Sequence, residues 1–90
     1  MSTALAALRP ALLMRLQFIE SLLAHYGHLN RSVLMDFFAL SAPQATRDFR
    51  VYLELAPGNA VYDPAARVYL RGGGFARLWP VGDQSEQGTP

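Results

Sequence analysis

The sequence predicts a mainly α domain that ends in a small β-hairpin, and three observations carry that expectation. Apolar residues recur at helical spacing from Leu12 to Tyr26. The segment Ser41-Ala42-Pro43-Gln44 marks the start of a further helix. Beyond Pro57-Gly58-Asn59 the pattern changes to two short β-prone runs joined by a turn. The chain has 90 residues, 51% hydrophobic and 17% charged, which is the composition of a folded domain rather than of a disordered tail. That length suffices for one small core and leaves no room for separate substrate and cofactor domains.

Residues 2–9 are Ala/Leu-rich and read as a short helix or packed arm, closed by Pro10. Pro10 suits the first turn of a new helix, where its missing N–H is not needed. From there Leu12, Leu16, Ile19, Leu23 and Tyr26 form an apolar stripe, widened by Leu13, Phe18 and Leu22. Arg15, Gln17, Glu20, Ser21 and His25 fall mostly outside it. Gly27 ends the helix as the residue that takes a left-handed conformation. A short second helix follows, with Asn30 or Ser32 as its cap and Leu34, Phe37 and Phe38 facing inward, stopping near Ala39-Leu40. The third helix runs from about Ala42 to Leu55. Ser41 is its N-cap, Pro43 lies in its first turn, and Gln44, three residues after the cap, completes a capping box. Ala45, Phe49, Tyr52, Leu53 and Ala56 form its buried stripe, with Gln44, Arg47, Arg50, Val51 and Glu54 on the other side.

Ala60-Val61-Tyr62 and Arg67-Val68-Tyr69-Leu70 then read as the arms of a hairpin. Asp63-Pro64-Ala65-Ala66 between them suits a type I turn. If Val61 pairs with Val68, Tyr62 and Tyr69 share one face and cover the core rather than stack on bases. Gly72-Gly73-Gly74 releases the chain, and Phe75, Leu78 and Trp79 are placed to re-dock on the body. Residues 81–90 are polar and read as a disordered tail.

Several function classes are disfavoured. Cysteine is absent, so there is no disulfide framework, thiolate zinc site or cysteine nucleophile. Arg15, Glu20 and His25 break the apolar runs well short of the ~18 residues a membrane span needs. The N-terminus has no basic lead before its apolar stretch, and a cytoplasmic protein is expected. His25-x-x-His28 has no third metal ligand nearby in sequence, and Gly27 breaks the helix between the two. Ser21 or Ser41 with His25 and Asp36 has no spacing that supports a catalytic set. The glycine run precedes neither a helix nor Lys-Ser/Thr, so it is a linker rather than a phosphate loop. No cofactor, metal or enzymatic activity is expected.

All basic residues are arginine: eight, against seven acids, for a net charge of +1. Asp83 and Glu86 lie in the tail, so the first 80 residues carry eight positive and five negative charges, or +3. That balance permits a nucleic-acid partner without demanding one. The order of elements is more telling. Helix, short helix, tight turn, capped helix and hairpin is the winged helix-turn-helix plan. A helix ~10–12 Å wide with its side chains fits the ~12 Å major groove of B-DNA, and its N-terminal residues reach the base edges. Here that end offers Gln44, Thr46, Arg47 and Arg50 behind the Ser41 cap, and the wing adds Arg67 and Arg71 as phosphate contacts. Each has a plainer reading: Gln44 as cap partner, Thr46 and the helix arginines as solvated surface, Arg67 and Arg71 as a solvated hairpin tip. Asp48 sits between Arg47 and Arg50, where it offsets their charge or instead holds Arg47 or a neighbouring backbone group.

A run of spaced residues adds a family resemblance. Phe18-Ile19-Glu20, Leu29-Asn30-Arg31-Ser32-x-Leu34 and Phe38-Ala39-Leu40-Ser41-x-Pro43-Gln44-Ala45 open it. Asp48, Tyr52, Leu55-Ala56-Pro57-x-Asn59, Tyr62-Asp63, Tyr69 and Phe75 continue it. Together, over roughly residues 15–80, they resemble the N-terminal winged helix-turn-helix of WYL-domain transcriptional regulators, the group that controls anti-phage defence islands of the BREX and CBASS kinds. The resemblance implies a homodimeric repressor that binds an inverted repeat near defence-gene promoters, with the recognition helix beginning at Ser41 to Gln44. It also implies a C-terminal WYL domain that senses a ligand and releases the DNA. This sequence has Ala39 where the family usually has glycine, Tyr26 where it has an acidic residue, and Arg67 where it has lysine. A left-handed alanine at position 39 costs roughly 1–2 kcal/mol. The 90 residues contain no WYL domain. The chain is either a piece of a longer regulator or a short relative without its sensor, and the polar tail, which reads as an interdomain linker, favours the first.

The expectation is therefore a winged helix-turn-helix domain over residues 1–80, with an arm at 1–9, a wing at about 60–71, and a tail or linker at 81–90. Its expected function is sequence-specific binding of double-stranded DNA in a dimeric repressor of a phage-defence locus. A winged-helix protein-interaction module without DNA binding is the alternative. Residues 4–8 and Phe75–Trp79 are the expected dimer surfaces.

Overall fold

The computed structural model describes residues 8–80. The arm before Leu8 and the tail at 81–90 lie outside the described residues. Helix α1 spans Pro10–Tyr26. Pro10 at its first turn fixes φ, and Gly27 ends it at φ 83°, returning its N–H to the Leu23 carbonyl at 2.9 Å. After the two-residue strand β1, His28–Leu29, helix α2 spans Arg31–Phe38. Asn30 is its cap: Oδ1 accepts from the Val33 N–H at 3.0 Å and from Ser32 Oγ at 2.8 Å. Ser32 thus supports the cap rather than supplying it. Ala39 stops α2 at φ 56°, ψ 49°, the left-handed conformation that the missing glycine would take freely.

Helix α3 spans Ala42–Leu55. Ser41 Oγ accepts from the Gln44 N–H at 3.3 Å. The reciprocal arm of the expected capping box is replaced, because the Gln44 amide turns to Asp48 instead. Strands β2, Ala60–Asp63, and β3, Val68–Arg71, form the hairpin, and β1 joins it in an antiparallel sheet of order β1-β3-β2. The register differs from the expected one: Val61 faces Leu70, and Tyr62 faces Tyr69. The cause is the turn. Asp63 Oδ1 accepts from the Ala65 and Ala66 N–H groups, and Arg67, at φ 57°, belongs to the turn rather than to β3. Strand β1 was not foreseen, since two residues carry no readable period.

Leu16, Ile19 and Leu23 of α1 meet Leu29, Leu34, Ala45, Phe49, Tyr52, Ala56 and Ala60 in one core. Full burial of each large aliphatic side chain there contributes about 1.5–3 kcal/mol. Two expected core residues lie outside it. Tyr26 is 62% exposed and Phe37 67% exposed. The eight-residue α2 buries only Leu34, and Phe37 instead stacks on Phe18 at its flank, with ring centroids 4.4 Å apart. Conversely, Glu20 and Asp48, both expected on polar faces, are buried.

The segment after the hairpin is built into the body. Gly72 is buried, and its N–H donates to the Asn59 carbonyl at 3.0 Å. A Cβ at that position would strike the Gly58 carbonyl oxygen, so this glycine is a close-packing requirement rather than a simple release. Asn59 then brackets Ala76, donating to its carbonyl at 2.8 Å and accepting from its N–H at 2.9 Å. The Glu20 carboxylate accepts from the Tyr52 hydroxyl at 2.7 Å and from the Leu78 and Trp79 N–H groups, both at 2.9 Å. Phe75, Leu78 and Trp79 pack half-buried against the core. Re-docking was expected and is found.

Candidate nucleic-acid interface

Ala45, Phe49 and Tyr52 hold α3 to the body, which leaves Arg47, Arg50 and Glu54 exposed on its outer side. Ser41 is exposed at its N-terminal end. The tight turn at Ala39 and Leu40 sets how α3 leaves α2, with both N–H groups returning to the Met35 carbonyl.

Asp48 is 1% exposed and does not lie between Arg47 and Arg50 as a free charge. Arg15 of α1 grips it with two N–H groups, Nε at 2.6 Å from Oδ2 and Nη2 at 3.2 Å from Oδ1. Gln44 Nε2 donates to Oδ1 at 2.8 Å, and Arg47 Nη2 donates to Gln44 Oε1 at 3.0 Å. Asp48 therefore reaches Arg47 only through the Gln44 amide, and its charge is matched by Arg15.

A groove of about 660 Å³ runs between the start of α2, the first turns of α3 and the wing. Arg31, Ser32, Thr46, Tyr62 and Arg67 line it. Thr46 is half-buried, and its hydroxyl accepts from Arg31 Nη1 at 2.9 Å. Arg67 stands exposed at the wing turn. Arg50 borders an adjoining hollow with Thr46, Leu53, Tyr62 and Tyr69. The two wing tyrosines divide their roles. Tyr69 stacks flat on Phe49, centroids 4.0 Å apart and 2° between planes, and burial pushes its hydroxyl pKa up. Tyr62 leans on Tyr69 and is 45% exposed toward the groove.

Arg71 is placed differently from Arg67. It lies at the base of the hairpin opposite Ala60, and its Nη1 donates to the Ala24 carbonyl at 2.8 Å and the Leu23 carbonyl at 3.5 Å. There it meets the negative end of the α1 dipole. The structure thus brings Thr46, Arg50 and Arg67 around the groove and its adjoining hollow, joins Gln44 to Arg47 on α3 outside both, and engages Arg71 elsewhere. Sequence reasoning missed Arg31. The available signal was its position just after the Asn30 cap, which puts a cation at the helix end that faces the neighbouring helix. Among the described residues, no three His, Cys, Asp or Glu side chains come together as metal ligands, and no helix is long and apolar enough to cross a membrane.

A short helix, a tight turn, a capped and exposed third helix and a hairpin standing beside it define a winged helix-turn-helix domain. Residues 11–87 match the BrxR transcriptional regulator winged helix-turn-helix domain, and the chain belongs to that family. It is 52% identical over 56 residues to the DNA-binding transcriptional repressor CapW of Stenotrophomonas maltophilia, covering 62% of this chain and 19% of that protein. It is 46% identical over 66 residues to CapW of Pseudomonas aeruginosa, covering 73% and 22%. Against CapW of Escherichia coli it is 51% identical over 55 residues, covering 61% and 18%. The chain spans about a fifth of the length of these curated relatives. The resemblance carried by Ser41-x-Pro43-Gln44 and its flanking motifs is borne out at the level of the family.

Proposed function

We propose that this chain binds double-stranded DNA sequence-specifically, as the DNA-binding domain of a bacterial transcriptional repressor. The observation that carries this reading is the arginine-lined groove between α2, α3 and the wing, beside the exposed Arg47 and Arg50 of α3. The first turns of α3 enter the major groove, while Arg31 and Arg67 hold phosphates on either side. The names of the CapW relatives support the same direction. Two copies on an inverted repeat double the cationic contacts and match the symmetry of the site. The regulated locus is a phage-defence locus, by the resemblance, and a ligand-sensing WYL domain elsewhere in the regulator controls release. The work takes place in the cytoplasm and needs neither catalysis nor a cofactor.

The alternative, a winged helix that contacts protein instead, drew on the low net charge and on Asp48. Arg15 takes up the Asp48 charge, so the arginines of α3 keep theirs. A fluorescence-anisotropy titration compares DNA from the gene's own upstream region with scrambled DNA at two salt concentrations. The expected result is tighter binding to the upstream DNA, weakening steeply with salt. Equal binding to both sequences, or binding that ignores salt, sinks the proposal.

A further inference from the structure

We propose that Asp48 and Arg15 are positioning residues for DNA recognition: they lock the Gln44 amide in one orientation and, through it, hold Arg47. The inference rests on the DNA-binding reading above.

The argument is one of donors and acceptors. Arg15, Asp48, Gln44 and Arg47 form a chain from the interior to the surface, with contacts of 2.6, 2.8 and 3.0 Å at its successive links. An ionised carboxylate only accepts hydrogen bonds, and a guanidinium only donates them. A glutamine amide placed between the two satisfies both in just one orientation, with its NH₂ toward Asp48 and its oxygen toward Arg47. The chain is anchored at its buried end, because Arg15 holds both oxygens of a carboxylate that is 1% exposed.

Two consequences follow. Glutamine and arginine are rotamer-rich, and ordering them on DNA costs binding free energy unless they are ordered beforehand. Here both are tied before DNA arrives. After its two internal bonds the amide still has one N–H and one oxygen lone pair free. Adenine's major-groove edge offers the complementary acceptor and donor, whereas guanine's offers two acceptors and leaves the oxygen unmatched. The locked amide therefore selects adenine at the base pair it meets.

Asp48→Asn separates this from a purely structural or electrostatic role. The substitution removes a negative charge beside the arginines of α3, and charge alone would tighten binding to every duplex. Loss of positioning acts in the opposite direction on the preferred site only. Binding sites are selected from a random duplex library with the 90-residue chain, with Asp48→Asn and with Arg15→Lys, which keeps the charge but loses the two-pronged grip. Anisotropy at fixed salt then gives the affinity of each protein for the selected site and for the same site with the adenine replaced. Thermal unfolding is followed in parallel.

The unsubstituted chain is expected to select adenine at one position per half-site and to discriminate there by about tenfold. Asp48→Asn lowers that ratio toward one while its binding to random duplex holds or tightens, and Arg15→Lys lowers it part of the way. If either variant is folded and keeps the full ratio, the proposal is overturned while DNA binding stands. Should Asp48→Asn fail to fold, Arg15→Lys decides alone. If the unsubstituted chain selects no site at all, the DNA-binding reading fails and takes this proposal with it.

Discussion

Ala39 carries backbone strain that a single substitution can release. Its left-handed φ of 56° costs an L-residue roughly 1–2 kcal/mol, and its side chain is exposed, so little packing is lost with the methyl group. Ala39→Gly is expected to stabilise the domain by about 0.5–1 kcal/mol, because glycine gives back about 0.4–1 kcal/mol through the freer unfolded chain. A rise in the urea midpoint checks this; a fall would place the strain elsewhere. In the proposed DNA complex, Arg47 and Arg67 separate the two kinds of contact. Arg47→Ala should cost about 1–3 kcal/mol and relax preference at one base pair, whereas Arg67→Ala should weaken all duplexes alike. Unchanged preference after Arg47→Ala would mean that α3 does not read bases. The residues that were legible in sequence are those whose partners are near: Pro10, Gly27, Asn30 and Ser41 act within four positions of themselves. Glu20 and Asp48 were not legible. A periodic pattern sends a carboxylate outward because an unpaired buried charge is too costly, and the partners that bury them, Arg15 for Asp48 and Tyr52 and Trp79 for Glu20, lie 32 to 59 positions away.

The helices could be read from sequence almost to the residue, because each carries its own start and stop signal. The sheet could not. Strand β1 exists only because His28 and Leu29 find Leu70 and Tyr69 across the domain, and the hairpin register was decided by one turn residue, Arg67. The chain after Gly72 looked like a release and proves to be a strap over the core, tied at Asn59 and Glu20. Glu20→Gln tests the strap as an element. One carboxylate oxygen becomes an NH₂ donor facing other donors, and the loss should be about 1–3 kcal/mol. Hydrogen exchange at the Leu78 and Trp79 amides should quicken while the amides of α2 keep their protection. Unchanged exchange at Leu78 and Trp79 would mean that Glu20 does not hold the strap.

Across the whole molecule, charge bears on stability and on the proposed DNA binding. Burial in the core, reinforced by the Glu20 carboxylate and opposed by the Asn59 amide, raises the Tyr52 hydroxyl above its ordinary pKa of 10.0. The unfolded chain then loses that proton first as pH rises, so the stability is full below pH 10.0 and declines above it. One such proton is worth about 1.4 kcal/mol per pH unit, and half-buried Tyr69 shifts in the same direction. Urea unfolding at about pH 9 and about pH 11 should show this decline, with a shallower slope in Tyr52→Phe. Binding depends on how the fold divides the arginines. Arg15 is committed to Asp48, Arg71 to the carbonyls ending α1, and Arg77 lies 3.9 Å from Glu20. Arg31, Arg47, Arg50 and Arg67 remain exposed around the groove and α3. If Arg31, Arg67 and Arg50 meet phosphate while Arg47 reads a base, one copy should give a slope of log affinity against log salt between about −2 and −3. Two copies on an inverted repeat should give about −5. The titration therefore counts copies as well as contacts: a slope near −5 places a dimer on the DNA, and a slope near zero would mean that the arginines do not touch phosphate and that α3 faces a protein instead.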